Sequence, residues 1–90
     1  MATLPIPAKL QWACRRGMLE LDILLGHFLS EVYPLLGFDK QAIFVRLLTY
    51  EDQDLFMWLT GKTVCPDPMI NRMIGEIRRH ANVRHFIGSI

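Results

Sequence analysis

Apolar residues recur at helical spacing along nearly the whole of this 90-residue chain. In the clearest stripe they follow one another three or four positions apart, which places them on one face of a helix. This stripe consists of Leu21, Leu24, Leu25, Phe28 and Val32. Strand-type alternation and tight Asn-Gly or Asp-Gly turns are absent from the sequence. Since a chain of this length forms one domain around one core, we predict an all-α fold, a compact five-helix bundle.

The first three helices are predicted from residues that end or begin helices. A short first helix is expected to end near Arg16 and Gly17, with the glycine as its left-handed stop. The second is expected to begin near Met18 and to end at Tyr33-Pro34, because proline disfavours helix in the residue before it. Asp39 is the predicted N-cap of the third helix.

The last two helices are predicted from signals at their ends, and the fifth has the best support. Acidic residues at 51, 52 and 54 suit the first turn of a fourth helix, and Gly61 is expected to stop it. Asp67 followed by Pro68 combines a capping side chain with a proline at the first helical position, so a fifth helix is expected to begin there. Met69 is placed on the buried stripe of that helix.

The ends of the chain set the domain limits. We predict a flexible N-terminal lead-in over residues 1–8, a helical domain over 9–85 and a C-terminal tail over 86–90. No apolar run approaches the roughly 20 residues needed to cross a bilayer, and the first residues do not form a targeting signal. Two cysteines in 90 residues suggest no disulfide framework. These features favour a cytoplasmic protein without direct membrane insertion.

The most informative polar stretch spans residues 14–22, where two arginines run into a glycine and two carboxylates follow. Arg15 and Arg16 offer planar forks of donors suited to carboxylates and carbonyls, and Gly17 allows a sharp turn or a close approach. Glu20 and Asp22 fall in the first turns of the second helix, where negative charge is favoured. The segment therefore presents both signs of charge side by side, and since the formal net charge is only +1, a protein partner is expected rather than a polyanion.

Two motifs carry a resemblance to a known family. The first is the stretch Trp-Ala-Cys-Arg-Arg-Gly at residues 12–17, with an Arg-Gly-x-x-Glu pattern that ends at Glu20 and the Leu-Asp pair that follows it. The second is Asp-Leu-Phe-x-Trp-Leu at residues 54–59. Together they resemble the SdhE family of small five-helix factors, over a stretch from about Lys9 to His85.

The resemblance implies a chaperone-like factor that binds the flavoprotein subunit of succinate dehydrogenase or fumarate reductase and promotes its covalent FAD attachment. It also implies that the chain is not an enzyme and has no cofactor of its own, because FAD is carried by the partner subunit, where the flavin–histidine bond forms.

The same resemblance assigns the partner-binding residues. The family motif places Arg16, Gly17 and Glu20 at the contact centre, with Lys9, Arg15 and Asp22 as supporting charges. Since arginine anchors often dominate interface energies, Arg16→Ala is expected to impair binding more than stability.

Each of these features also has a purely structural explanation. Arg16 and Glu20 are four residues apart and could form a helix-surface ion pair without a function. Trp12 and Trp58 are large apolar residues in a small protein, so we expect both in the core and leave both out of the site.

Chemistry by the chain itself has little support in the sequence. The cysteines and histidines lack the paired spacing of a zinc site, so no metal is expected. Cys14 has no assignable base and orienting acid, so a catalytic thiol is not expected either; a thiol pKa lowered by the neighbouring arginines remains open.

The alternative function of another class is a small helical DNA-binding domain. A basic last helix could enter a groove, as in helix-turn-helix proteins. Against this, Glu76 interrupts the basic face and the acidic residues 51–54 would repel phosphates. The assembly factor, with no nucleic-acid partner, is therefore the preferred interpretation.

Overall fold

The structure is a computed structural model that describes the backbone of residues 6–88 and the side chains of residues 6–83. Its five α-helices are α1 (Ala8–Ala13), α2 (Leu19–Glu31), α3 (Phe38–Leu47), α4 (Asp52–Leu59) and α5 (Pro68–Gly88). A short 3₁₀ turn, Tyr33–Leu35, follows α2. The described residues contain no strand, and the prediction of an all-α, five-helix protein is confirmed.

The core lies where α5 packs against α2, α3 and α4. Phe28 of α2 stacks on Phe44 of α3 with ring centroids 5.5 Å apart, and both rings are fully buried. The predicted apolar stripes supply most of the buried side chains. Burial of these side chains from all the longer helices is the main source of stability in so small a domain.

Two of the predicted helix boundaries have the expected chemistry. The Asp67 carboxylate accepts hydrogen bonds from the backbone N–H groups of Met69 and Ile70, at 3.0 and 3.3 Å, and Pro68 is the first residue of α5. Gly61 follows the C-cap of α4 with φ of 78°. Capping therefore fixes where α4 ends and where α5 begins.

The starts and ends of α1 and α3 differ from the prediction. α1 ends at Ala13, so Gly17 lies three residues beyond its C-cap, Cys14, and is not the residue that stops it. The chain leaves the helix early because Cys14 turns into the core and the backbone at Arg16 is bound elsewhere. In α3, Gly37 is the N-cap in an extended conformation, and Asp39 lies in the first turn instead.

Met69 is also not where the stripe placed it. Its side chain is 52% exposed, whereas Ile70, Met73, Ile74 and Ile77 are buried. As the second residue of α5, it lies beside the stripe rather than on it, because successive residues of a helix point about 100° apart.

The termini are described only in part. Residues 1–5 of the predicted lead-in, and residues 89 and 90 of the predicted tail, lie outside the described residues. The backbone of residues 86–88 continues α5. Within the described part of the chain, no helix has the length and apolarity that a membrane crossing requires.

Candidate functional site

The predicted site is centred on the α1–α2 link, residues 14–18. Gly17 lies there with φ of 79°, and a Cβ built on it would meet no heavy atom within 4 Å. The backbone N–H of Arg16 donates to Asp22 Oδ1 at 2.5 Å, which ties the link to the first turns of α2. The glycine is therefore an open, exposed point on a link whose preceding residue is fixed.

The Arg16 guanidinium points into the molecule instead of into solvent. Its Nε donates to Asp52 Oδ1 at 2.7 Å, and Nη1 donates to the carbonyls of Ala13 and Leu48 at 3.0 and 2.8 Å. Nη2 donates to the Tyr50 carbonyl at 2.5 Å. The side chain is 14% exposed, and four of its five N–H groups are used internally. Arg16 thus joins the α1–α2 link to the corner between α3 and α4.

Glu20 has the opposite environment. It is exposed in the first turn of α2, and its side chain has no hydrogen-bond or ion-pair partner among the described residues. Arg16 pairs with Asp52 rather than with Glu20, so the alternative of an idle Arg16–Glu20 ion pair is wrong. The Glu20 carboxylate is available to a partner.

The remaining predicted site residues also divide into side chains that face solvent and side chains that are used within the molecule. Arg15 is exposed, with its guanidinium carbon 5.9 Å from the centre of the Trp12 ring. Lys9 is exposed on α1 without a side-chain partner among the described residues. Asp22 is half-buried and holds the link through the backbone of Arg16. Arg15, Gly17 and Glu20 thus form an outward surface around the link, and Lys9 is exposed on α1, whereas Arg16 and Asp22 hold the link from within.

Trp12 belongs to this surface, although the sequence favoured a core position. Its side chain is 71% exposed, whereas Trp58 is 8% exposed and confirms the prediction for the second tryptophan. α1 has only six residues, and its inward side is occupied by Leu10 and Ala13. The one sequence signal that could have placed Trp12 outside is Arg15 at the i+3 position, within reach of the ring on a helical surface.

A groove between α1 and α2 extends the surface. Its volume is about 900 Å³, and exposed Leu19 and Ile23 line it together with Trp12 and Arg15. Sequence reasoning missed both apolar residues, because they alternate with buried positions of the same helix. The groove adds apolar area beside the charged residues, a combination that is typical of protein interfaces.

The pKa of the Cys14 thiol is raised, whereas the neighbouring arginines alone would be expected to lower it. Burial raises the pKa of the thiol to about 11, outweighing the lowering effect of Arg16, while Asp22 raises it further. The idea of a lowered thiol pKa is therefore wrong, and Cys14 stays protonated at neutral pH. Among the described residues, no group of three or more His, Cys, Asp or Glu side chains is arranged to hold a metal ion.

Comparison with protein families gives one clear match. The model of the Sdh5 family, described as "Flavinator of succinate dehydrogenase", matches residues 8–81. The matched region includes α1, the α1–α2 link and all of α2, α3 and α4.

Individual relatives agree with this match. The FAD assembly factor SdhE of Shewanella oneidensis is 49% identical over 74 residues, covering 82% of this chain and 90% of the relative. The protein of the same name from Pseudomonas putida is 50% identical over 66 residues, covering 73% of this chain and 79% of the relative. Among solved structures, the solution structure of a UPF0350 protein matches with a TM-score of 0.74 and 38% identity, over 93% of this chain and 89% of that one.

Proposed function

This chain belongs to the Sdh5 family of succinate dehydrogenase flavinators, and on that premise we propose that it binds the flavoprotein subunit of succinate dehydrogenase and promotes covalent FAD attachment there. The family consists of assembly factors, so the chain is not an enzyme. FAD is carried by the partner subunit, and this chain holds no cofactor of its own. The flavoprotein of fumarate reductase is a second client under the same proposal, and the cytoplasm is the place of action.

One observation carries the proposal: Glu20 and Gly17 are exposed near the start of α2, the Glu20 side chain has no partner among the described residues, and the site of a Cβ on Gly17 is empty to 4 Å. Exposed Trp12 and Arg15 come just before this point in the chain and line the groove between α1 and α2. Tryptophan and arginine are enriched in the centres of protein interfaces. A surface with free charges of both signs and an aromatic anchor is suited to a folded protein partner.

The role of the chain is to position the partner. A factor that binds one arrangement of the flavoprotein's domains more tightly than another raises the population of that arrangement. If that arrangement brings the acceptor side chain close to the flavin, the attachment reaction gains from proximity without any catalytic group on the factor. The partner must later be released, so we expect an interface of standard size, on the order of 1,200–2,000 Å² in total.

The DNA-binding alternative receives no support from the comparisons. Glu76, on the basic helix, pairs with Lys40 at 3.1 Å, so a carboxylate stays on the helix that would have to approach phosphates. We do not propose it.

The test is covalent flavin fluorescence of the succinate dehydrogenase flavoprotein subunit on a denaturing gel. Cells lacking this chain are compared with cells that express the wild-type chain, Glu20→Ala or Asp39→Ala. Asp39 is the matched control because it is also an exposed carboxylate in the first turn of a helix. We expect a band with the wild type and Asp39→Ala, and a weak or absent band in the other two. Equal bands in all four would overturn the proposal.

A further inference from the structure

We propose that Asp52 is a positioning residue for the partner-binding surface, which it holds in place through Arg16. The inference rests on the proposed function and deepens it. Asp52 lies in the first turn of α4, 36 residues beyond Arg16 and outside the motif that contains it. Asp52 contacts Arg16, which lies behind the surface, and Asp52 is not itself one of the surface residues.

The contact between the two side chains is close and largely shielded. Arg16 Nε lies 2.7 Å from Asp52 Oδ1, and the two side chains are 14% and 37% exposed. Charge-assisted hydrogen bonds of this kind are roughly twice as strong as neutral ones. The three other bonds of the guanidinium go to neutral backbone carbonyls, so among the described residues Asp52 is the one carboxylate that balances its charge.

The position of the α1–α2 link depends on this contact. Gly17 has no side chain to hold it, and the site of a Cβ there is empty to 4 Å. Arg16, the residue before it, is held at both its side chain and its backbone. The guanidinium donates to Asp52 and to the carbonyls of Leu48 and Tyr50. The backbone N–H donates to Asp22. Loss of the Asp52 charge would loosen the guanidinium and, with it, the backbone that presents Gly17 and Glu20.

The chain provides a matched control in the same turn of the same helix. Asp54 is exposed, and its side chain has no partner among the described residues. Asp52→Asn and Asp54→Asn remove the same charge from the same helix N-terminus, so they cost similar amounts of helix-dipole energy. Only Asp52→Asn also removes the contact with the Arg16 guanidinium.

The experiment measures the affinity of the purified full-length chain for the purified flavoprotein subunit of succinate dehydrogenase. Wild type, Asp52→Asn, Asp52→Glu, Asp54→Asn and Glu20→Ala are compared at a temperature at which circular dichroism shows each to be folded. Amide hydrogen exchange of the free chain is followed at Arg16, whose backbone N–H donates to Asp22 Oδ1, and at buried positions of α5 as a measure of global opening.

We expect Asp52→Asn to weaken binding at least about tenfold and to speed amide exchange at Arg16 while leaving α5 unchanged. Asp54→Asn should match the wild type, and Asp52→Glu, which keeps the carboxylate, should recover most of the affinity. If Asp52→Asn binds like the wild type while Glu20→Ala does not bind, the inference is overturned and the proposed function stands. Faster exchange throughout α5 with unchanged affinity would also overturn it, because Asp52 would then act on stability alone. A wild-type chain that does not bind the flavoprotein would overturn both.

Discussion

Arg16 and Asp52 are 36 positions apart in the sequence, yet Nε of Arg16 lies 2.7 Å from Oδ1 of Asp52. This contact ties the α1–α2 link to α4. The family motif therefore contains an arginine whose fork is used within the molecule, beside a glycine and a glutamate that face outward. Under the proposed function, Arg16 serves stability, whereas Gly17 and Glu20 serve partner binding.

Arg16→Ala is now expected to lower stability, whereas the sequence alone suggested an effect mainly on binding. The substitution leaves the Asp52 carboxylate and the carbonyls of Leu48 and Tyr50 without their donor. We expect a loss of about 2–4 kcal/mol in the free energy of unfolding, which lowers the melting temperature by about 10 °C or more. Thermal denaturation followed by circular dichroism measures it. Arg15→Ala is the control and should melt within a few degrees of the wild type; an Arg16→Ala protein that melts with it would contradict the structure.

The two tryptophans should respond in opposite ways to truncation. Trp58 is buried beside Tyr50, with ring centroids 5.1 Å apart, so Trp58→Ala should cost about 3–5 kcal/mol of stability. Trp12 is exposed, so Trp12→Ala should leave the melting temperature nearly unchanged but weaken binding to the flavoprotein by about 2 kcal/mol or more. Melting curves and binding titrations on both variants check this. Full affinity in Trp12→Ala would remove Trp12 from the proposed interface.

Gly17 and Gly75 should also respond oppositely to alanine. Gly17 has φ of 79°, so Gly17→Ala is strained even though its Cβ meets nothing, and we expect a loss of about 1 kcal/mol. Gly75 is inside α5 with space for a Cβ, so Gly75→Ala should stabilise the protein by roughly 0.5–1 kcal/mol. Urea unfolding of both variants measures the two changes. A stabilising Gly17→Ala would show that the link does not adopt this conformation.

The buried Cys14 thiol predicts a change in stability at alkaline pH. Its pKa is raised from 9.0 to about 11 in the folded protein, so the folded state holds the proton more tightly than the unfolded chain. The stabilisation is complete below pH 9.0 and is lost as the pH rises toward about 11, and the full loss is about 2–3 kcal/mol.

The difference in unfolding free energy between wild type and Cys14→Ala isolates this effect, because the other alkaline titrations are common to both proteins. Measured by urea unfolding, the advantage of the wild type should be constant up to about pH 8.5 and then shrink steadily to about pH 10.5. A difference that stays constant over this interval would contradict a buried, neutral thiol.

Much of the fold follows from local sequence rules. The spacing of Leu21, Leu25 and Phe28 is sufficient to predict the buried face of α2, and Asp67-Pro68 fixes the start of α5 through a cap that involves only adjacent residues. Such features are predictable because the interacting groups are close in sequence.

The site was harder to predict because its determinants are distant in sequence. No local pattern connects Arg16 with Asp52 or with the carbonyls of Leu48 and Tyr50, so the inward orientation of the guanidinium could not be foreseen. Trp12 was misplaced for a related reason: apolar character indicates burial only when a neighbouring element covers the residue, and α1 is too short to bury both of its sides. The motif drew attention to one segment, whereas the different orientations of its side chains could be seen only in the structure.

The central claim is that this chain promotes flavin attachment on a partner through the exposed residues around Glu20. The most direct test mixes purified succinate dehydrogenase flavoprotein lacking covalent flavin with free FAD and follows covalent flavin on a denaturing gel over time. The reaction is run with no addition, with the wild-type chain, with Glu20→Ala and with the control Asp39→Ala. We predict rapid attachment with the wild type and Asp39→Ala, and slow attachment with Glu20→Ala or with no addition. Attachment at the same rate with and without the wild-type chain would contradict the account.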